Sequence, residues 1–172
     1  MKISIIGFSG SGKSTLAKVL SRHYNIPVMH MDSIRFLENW KERDDEEFRT
    51  IVKDFIDSNE SWIIDGNYRS IVPERHGMAD LLIFLDYNRF FCYSCAKKRY
   101  KMYKGKSRDD VARGCDEKFD KEFRRWLLIE GRTKNRRQRL LQTAQNHSNS
   151  LIFKNRKQLF KYYEKNGISY DK

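Results

Sequence analysis

Gly7-Phe8-Ser9-Gly10-Ser11-Gly12-Lys13-Ser14-Thr15 follows directly on the apolar run Ile3-Ser4-Ile5-Ile6. The stretch matches the pattern G-x-x-x-x-G-K-[ST] in full, in which glycines let the backbone curl until successive N–H groups face one anion. In that pattern Lys13 reaches the β- and γ-phosphates of a nucleoside triphosphate, and the Ser14 hydroxyl is placed to ligand Mg²⁺. A helix opening at Lys13 adds the positive end of its dipole. Gly7, Ser9, Gly10, Ser11, Gly12, Lys13, Ser14 and Thr15 are therefore the candidate ATP-binding residues. A strand before the loop and a helix after it are the context the motif requires.

Outward from the loop, strand-like and helix-like segments alternate, which predicts an α/β domain with a mostly parallel sheet. Lys13 to His23 reads as a helix, with Leu16, Val19 and Leu20 on one face, and Pro27-Val28-Met29-His30 as a second strand. Asp44 and Asp45 cap a helix carrying Phe48, Ile51, Val52, Phe55 and Ile56, and Trp62-Ile63-Ile64-Asp65 forms a third strand. Leu81-Leu82-Ile83-Phe84-Leu85 has the unbroken apolar character of a strand buried on both faces. A long helix follows to about Tyr103, and Lys104-Gly105-Lys106-Ser107-Arg108 interrupts it. Asp116 then starts a helical stretch with Phe119, Phe123, Trp126 and Leu127 on one side, and Arg132 to Gln145 continues as a charged helix. Leu151-Ile152-Phe153 is a fifth strand and Gln158 to Lys165 a closing helix.

Composition narrows the function classes. A chain of 172 residues is about one domain, burying roughly 70% of the surface exposed by its unfolded form. Charged residues make up 34% and mean hydropathy is −0.80, which excludes an integral membrane protein. Met1-Lys2 leads straight into the first strand, leaving no room for a signal-peptide apolar region, so a cytoplasmic location is expected. The odd cysteine count, Cys92, Cys95 and Cys115, fits reduced thiols; the C-x-x-C pair on one helical face reads as core packing, with the start of a zinc site or a redox pair as the alternatives. The formal net charge is +12, and residues 97 to 139 alone carry 17 Lys/Arg against 7 Asp/Glu. A basic block of this kind suits a polyanion: a nucleoside triphosphate, a phosphorylated substrate or nucleic acid.

Ligands of open α/β sheets sit beyond the carboxyl ends of the strands, so the loop, Asp32, Asp65 to Arg69 and Asp86 are expected to border one crevice. Asp65 is placed to serve a phosphate-bound Mg²⁺ opposite the Ser14 hydroxyl; the alternative is a turn aspartate before Gly66. Asp32 is either a substrate contact or base, or a helix cap. Asp86 is expected to cap the next helix.

The stretch Asp65-Gly66-Asn67-Tyr68-Arg69 resembles the Asp-Gly-Phe-Pro-Arg element after the third strand of adenylate kinase, a small P-loop nucleoside monophosphate kinase, with Asn67-Tyr68 in place of Phe-Pro. That resemblance implies that Asp65 helps hold Mg²⁺ and that Arg69 binds the acceptor's phosphate. Most of the chain is similar to the bacterial adenylate-kinase-related proteins labelled DNA topology modulation proteins (FlaR-related). The similarity lies in Ile5 to Thr15, Ile26-Pro27-Val28 with His30 and Asp32, Trp62 to Tyr68, and Cys115-Asp116-Glu117-Lys118-Phe119-Asp120. It implies a P-loop three-layer sandwich, with a five-stranded parallel sheet in adenylate-kinase-like order and a helical lid.

The same resemblance gives the basic block, a lid insertion at about 100–137, a role in closing over the transferring phosphates. Charge leads to the same place, because Arg and Lys brought in by closure stabilise the transferred phosphoryl group. Arg99, Arg108, Arg113, Arg132, Arg136 and Arg137 are the candidates, and Arg132 and Arg136 lead because a four-residue spacing puts them on one helical face. An adenine contact is expected near Asn155-Arg156. The leading expectation is transfer from ATP·Mg²⁺ to a small nucleotide or metabolite acceptor. The alternatives are a nucleotide-switched nucleic-acid-binding regulator of DNA topology, favoured by the basic pI and by Tyr100 and Tyr103 among basic residues, and an NTPase.

Overall fold

The computed structural model, which describes residues 1–106, 108 and 110–170, builds its elements from these local patterns. In chain order they are β1 (Lys2–Gly7), α1 (Lys13–Tyr24), β2 (Val28–His30), α2 (Met31–Arg35), β3 (Phe36–Leu37), β4 (Lys41–Glu42), α3 (Asp45–Asp57), β5 (Trp62–Asp65), α4 (Glu74–Met78), β6 (Leu81–Leu85), α5 (Arg89–Tyr103), α6 (Lys121–Leu128), α7 (Lys134–Gln145), β7 (Ser150–Phe153) and α8 (Arg156–Lys165). Single 3₁₀ turns lie at Glu38–Trp40 and Glu130–Arg132. Five strands form one parallel sheet in the order β2-β5-β1-β6-β7, the α/β architecture expected from the sequence. The short antiparallel pair β3-β4 stands apart from it.

Period-two alternation sends successive side chains to opposite faces of the sheet. Ile3 and Ile5 of β1 pack with Leu16 and Leu20 of α1 and Leu159 and Tyr163 of α8. Ile6 joins Phe8, Phe84 and Ala144 of α7 in a separate cluster. On β5, Ile63 belongs to the α1 side while Trp62 and Ile64 pack with Phe48, Val52 and Ile56 of α3. Helices therefore cover both faces, which is why β6 reads as a continuous apolar run. The Asp44 carboxylate caps α3 by accepting from Glu46 N at 2.9 Å and Glu47 N at 3.3 Å, and Asp45, Glu46 and Glu47 add acids where the helix dipole favours them.

Three expected helix starts shift, each for a visible reason; α8 opens at Arg156 rather than Gln158, because the Asn155 side chain caps it. The stretch from Asp116 stays irregular until Asp120, which caps α6 by accepting from Phe123 N at 2.8 Å. Phe119 is drawn out of the expected helix to lie against Tyr93 and Tyr100, with ring centroids at 5.2 and 5.8 Å. Likewise α7 begins at Lys134 rather than Arg132, because the Thr133 hydroxyl caps it. Ser107, within the expected break after Tyr103, lies outside the described residues. Among the described residues, no helix is long and apolar enough to cross a membrane.

The loop between β1 and α1 depends on two glycines in different ways. Gly10 has φ +77° and would place a Cβ into the carbonyl of Cys92 on α5. Gly12 has φ +89° and open space around it. An L residue at either position carries conformational strain of order 1–3 kcal/mol. Gly10→Ala should therefore lose more stability than Gly12→Ala in denaturant unfolding, because only the first also collides with backbone. Equal losses would show that φ alone constrains Gly10.

Candidate active site

Within the loop, Ser11 N donates to the Phe8 carbonyl at 3.1 Å and Leu16 N to that of Gly12 at 2.9 Å, closing one turn and starting α1. The Lys13 ammonium folds back to the Phe8 carbonyl at 3.3 Å. Burial pushes the Lys13 pKa down, the Asp32 and Asp65 carboxylates pull it back, and Arg99 adds to the lowering. Two acids predicted from the sequence thus act on the predicted lysine. Ser9 accepts from Trp126 Nε1 at 3.4 Å, Ser11 is buried without a side-chain partner among the described residues, and Thr15 is exposed.

Asp65, 4% exposed, is held on both oxygens. Ser14 Oγ donates to Oδ2 at 2.9 Å, and His30 Nδ1 lies 2.5 Å from Oδ1. An ionised carboxylate only accepts, so with Asp65 charged the Nδ1 of His30 carries the proton. The sheet register explains the meeting, since His30 of β2 and Ile5 of β1 are the residues paired with Asp65. Two positions on, the Asn67 amide grips the loop's first glycine, with Nδ2 donating to Gly7 O at 2.7 Å and Oδ1 accepting from Gly7 N at 3.1 Å. Behind this turn the fully buried Arg75 donates to Gly66 O. Burial lowers its pKa to about 10 against the opposing pull of Asp65 and Tyr68, which leaves it charged at neutral pH. A hydroxyl and a carboxylate beside a phosphate loop are the hard oxygen donors that Mg²⁺ takes, with its other positions left to water and phosphate oxygens. Ser14 and Asp65 suit that ion.

Asp32 lies on α2, exposed, and its Oδ1 accepts from the Tyr68 hydroxyl at 2.7 Å. Tyr68, one of the two departures from the adenylate kinase element, is thus the partner of a predicted site residue. Arg69 points the other way and donates to Thr143 Oγ1 at 3.2 Å. There it lines a cavity of about 450 Å³ with Ser9, Asn67, His76, Trp126, Arg136 and Arg139. Among the described residues, no carboxylate lies within ion-pair distance of Arg69, Arg136 or Arg139.

The lid candidates separate. Arg132 ends a 3₁₀ turn and Arg136 lies inside α7, so the shared helical face expected from their spacing does not form. Arg132 stacks on Phe8 at 3.8 Å and donates to the Tyr87 carbonyl at 2.8 Å, in a second cavity of about 350 Å³. Arg136 stacks on Trp126 at 4.4 Å in the first cavity. Arg99 and Arg108 are both paired with the buried Glu117, at 2.7 and 2.9 Å, and Arg113 is exposed. Asp86 does not cap α5. Asn88 does so, accepting from Phe90 N at 2.8 Å, while Asp86 takes Arg137 Nε at 3.1 Å and Nη2 at 2.5 Å. Asn155 caps α8 and Arg156 stacks on Phe160 at 4.9 Å.

The basic segment also touches the β3-β4 excursion. Asn39 N donates to Gly114 O at 3.2 Å, and Trp40 Nε1 to Asp116 O at 3.0 Å. The Cys115 thiol donates to Leu37 O at 3.1 Å and accepts from Trp40 N at 3.4 Å. Cys92 is buried and Cys95 half-buried, and all three cysteines are free thiols. Sequence reading gave no role to His30 beyond the resemblance, and none to Arg75, Trp40 or His76. The one local signal was a His between Met29 and Met31, which does not specify a partner.

No protein-family model matches this chain, and no curated protein does. Among solved structures, deoxyadenosine kinase from M. mycoides with bound dATP superimposes with a TM-score of 0.56 at 16% identity, covering 98% of this chain and 100% of that one. The same enzyme with dCMP and a flexible dCDP gives 0.53 at 15% identity, over 96% and 98% of the two chains. At this identity the likeness is one of fold: the chain shares the α/β architecture of those deoxyadenosine kinase structures.

Two measurements test the packing around the site. His76 sits 3.0 Å from Ser4 Oγ, and burial, with Arg75 and Arg69 nearby, lowers its pKa to about 3. The unfolded chain takes up this proton near pH 6.5 and the folded chain refuses it, so stability falls as pH drops below that value. At pH 5 the native chain should have lost about 2 kcal/mol that His76→Gln does not lose; parallel pH profiles of the two would overturn the assignment. Separately, Trp40→Ala should make Cys115 react several-fold faster with a thiol reagent, read by mass spectrometry against an unchanged Cys92.

Proposed function

We propose that the chain is a P-loop phosphotransferase that moves the γ-phosphoryl group of ATP·Mg²⁺ to a small, negatively charged nucleotide or metabolite acceptor. The observation that carries this reading is the Ser14 to Asp65 hydrogen bond of 2.9 Å at the foot of the loop, beside the Lys13 ammonium. The similarity to FlaR-related, adenylate-kinase-related proteins supports it from the sequence side.

In this reading Gly7 to Thr15 cradle the donor phosphates through backbone N–H groups, with Lys13 facing the β- and γ-phosphates. Bound Mg²⁺, held by Ser14 and served by Asp65, would neutralise charge on the phosphate oxygens. The acceptor lies across the loop. Asp32, oriented by Tyr68, faces its nucleophile, and Arg69 binds its anionic group in the cavity that Arg136 and Arg139 also line. Arg132 and Arg136, on the basic segment acting as a lid, complete the charge compensation as it closes. Catalysis here is positioning and electrostatics, with no covalent intermediate.

The test is to incubate the protein with ATP, Mg²⁺ and a panel of nucleotides, nucleosides and anionic metabolites, following ADP and phosphorylated product together. Lys13→Ala should abolish ATP binding and transfer while the protein stays folded, because burial already disfavours that ammonium. Asp65→Asn should raise the Mg²⁺ concentration for half-maximal rate. Native-like ATP turnover in Lys13→Ala would overturn the assignment.

A further inference from the structure

We propose that His30 is the positioning residue that sets the Asp65 carboxylate for Mg²⁺, a role that rests on the phosphotransferase reading above. His30 and Asp65 are 9% and 4% exposed, and their side chains approach to 2.5 Å. Burying either one unpaired is costly, and if filling space were the only requirement, two apolar side chains would do it at lower cost. The pair therefore carries a constraint that packing alone does not explain.

Each carboxylate oxygen has its own donor. Oδ2 accepts a hydrogen bond from the Ser14 hydroxyl, which leaves the Ser14 oxygen lone pairs free for a cation. Oδ1 accepts from the Nδ1–H of His30, which stops the carboxylate from turning about its Cβ–Cγ bond. Among the described residues, the hydrogen bonds of Arg75 go to Gly66 O, Met31 Sδ and His76, and those of the Asn67 side chain to Gly7, so neither reaches Asp65. His30 is thus the side chain that fixes the far oxygen. The contact follows from the parallel register that pairs His30 with Asp65, so it is built into the sheet rather than into a loop. A buried imidazole that orients a metal-associated carboxylate acts through that ligand, and loss of such outer partners costs about 10- to 100-fold in metal affinity.

The experiment measures metal and nucleotide binding directly on the full chain. Mn²⁺ binding to the ATP-loaded protein is followed by electron paramagnetic resonance, and ATP binding in EDTA by calorimetry. His30→Ala should weaken Mn²⁺ by about 10- to 100-fold and leave ATP affinity in EDTA unchanged. His30→Asn, whose amide N–H falls close to the place of Nδ1, should recover most of the metal affinity. Thermal melts confirm that both variants are folded. Unchanged Mn²⁺ affinity in folded His30→Ala overturns the proposal, as does an equal loss of ATP affinity in EDTA, which would make His30 a support of the loop. Failure of His30→Asn to rescue overturns the donor role. A native chain that binds no ATP, with or without metal, removes the phosphotransferase reading itself, and that outcome is visible before any variant is made.

Discussion

Asp65 carries a hydrogen-bond donor on each oxygen of a buried carboxylate, and much of the surrounding chain is arranged by that need. One donor comes from the first turn of α1 and the other from the last residue of β2. Neither could reach Asp65 unless β5 ran between β1 and β2 in this register. A slip of one residue would turn Asp65 to the opposite face and strand it there without a partner. The same strand end leads into Gly66 and Asn67, whose amide grips Gly7 and so ties the glycine-rich loop to the strand end that bears Asp65.

The loop, the five strands and most helices were legible in the sequence because their signals are contiguous. Gly10 and Gly12 announce a curled backbone, Leu81 to Leu85 a strand buried on both faces, and Asp44 a helix cap. Side-chain partnerships were not legible, because they depend on register and on tertiary competition. His30 is an ordinary strand-end histidine until β2 is laid against β5. Asp86 sits where a capping residue belongs, but the Asn88 amide takes that task and the carboxylate meets Arg137. The four-residue interval between Arg132 and Arg136 signals one helical face only if the helix is continuous, and the Thr133 cap breaks it between them.

The basic block read from composition is likewise divided by the fold. Arg99 and Arg108 share the buried Glu117, Arg125 pairs with Glu130 and Arg137 with Asp86. Net charge therefore overstates the cationic surface offered to a partner. Contacts of Gly114, Cys115 and Asp116 with the β3-β4 excursion bind the same segment to the side of the molecule that bears Asp32. Movement of either segment must break hydrogen bonds held by the other.

What remains uncommitted is informative about direction. Arg69, Arg136 and Arg139 line one cavity, whereas Asp32 and Asp65 bear on Lys13 from the strand ends beside it. A phosphate chain laid along the loop would thus have carboxylates to one side and guanidinium groups to the other. Charge on a transferred phosphoryl group spreads over its oxygens, and fixed cations in a water-poor site stabilise it without the reorganisation that solvent would require. An acceptor that brings its own negative charge gains most where cations have no carboxylate partner of their own. That is the reason to look for it beside Arg69 rather than beside Arg99, whose guanidinium already has a carboxylate.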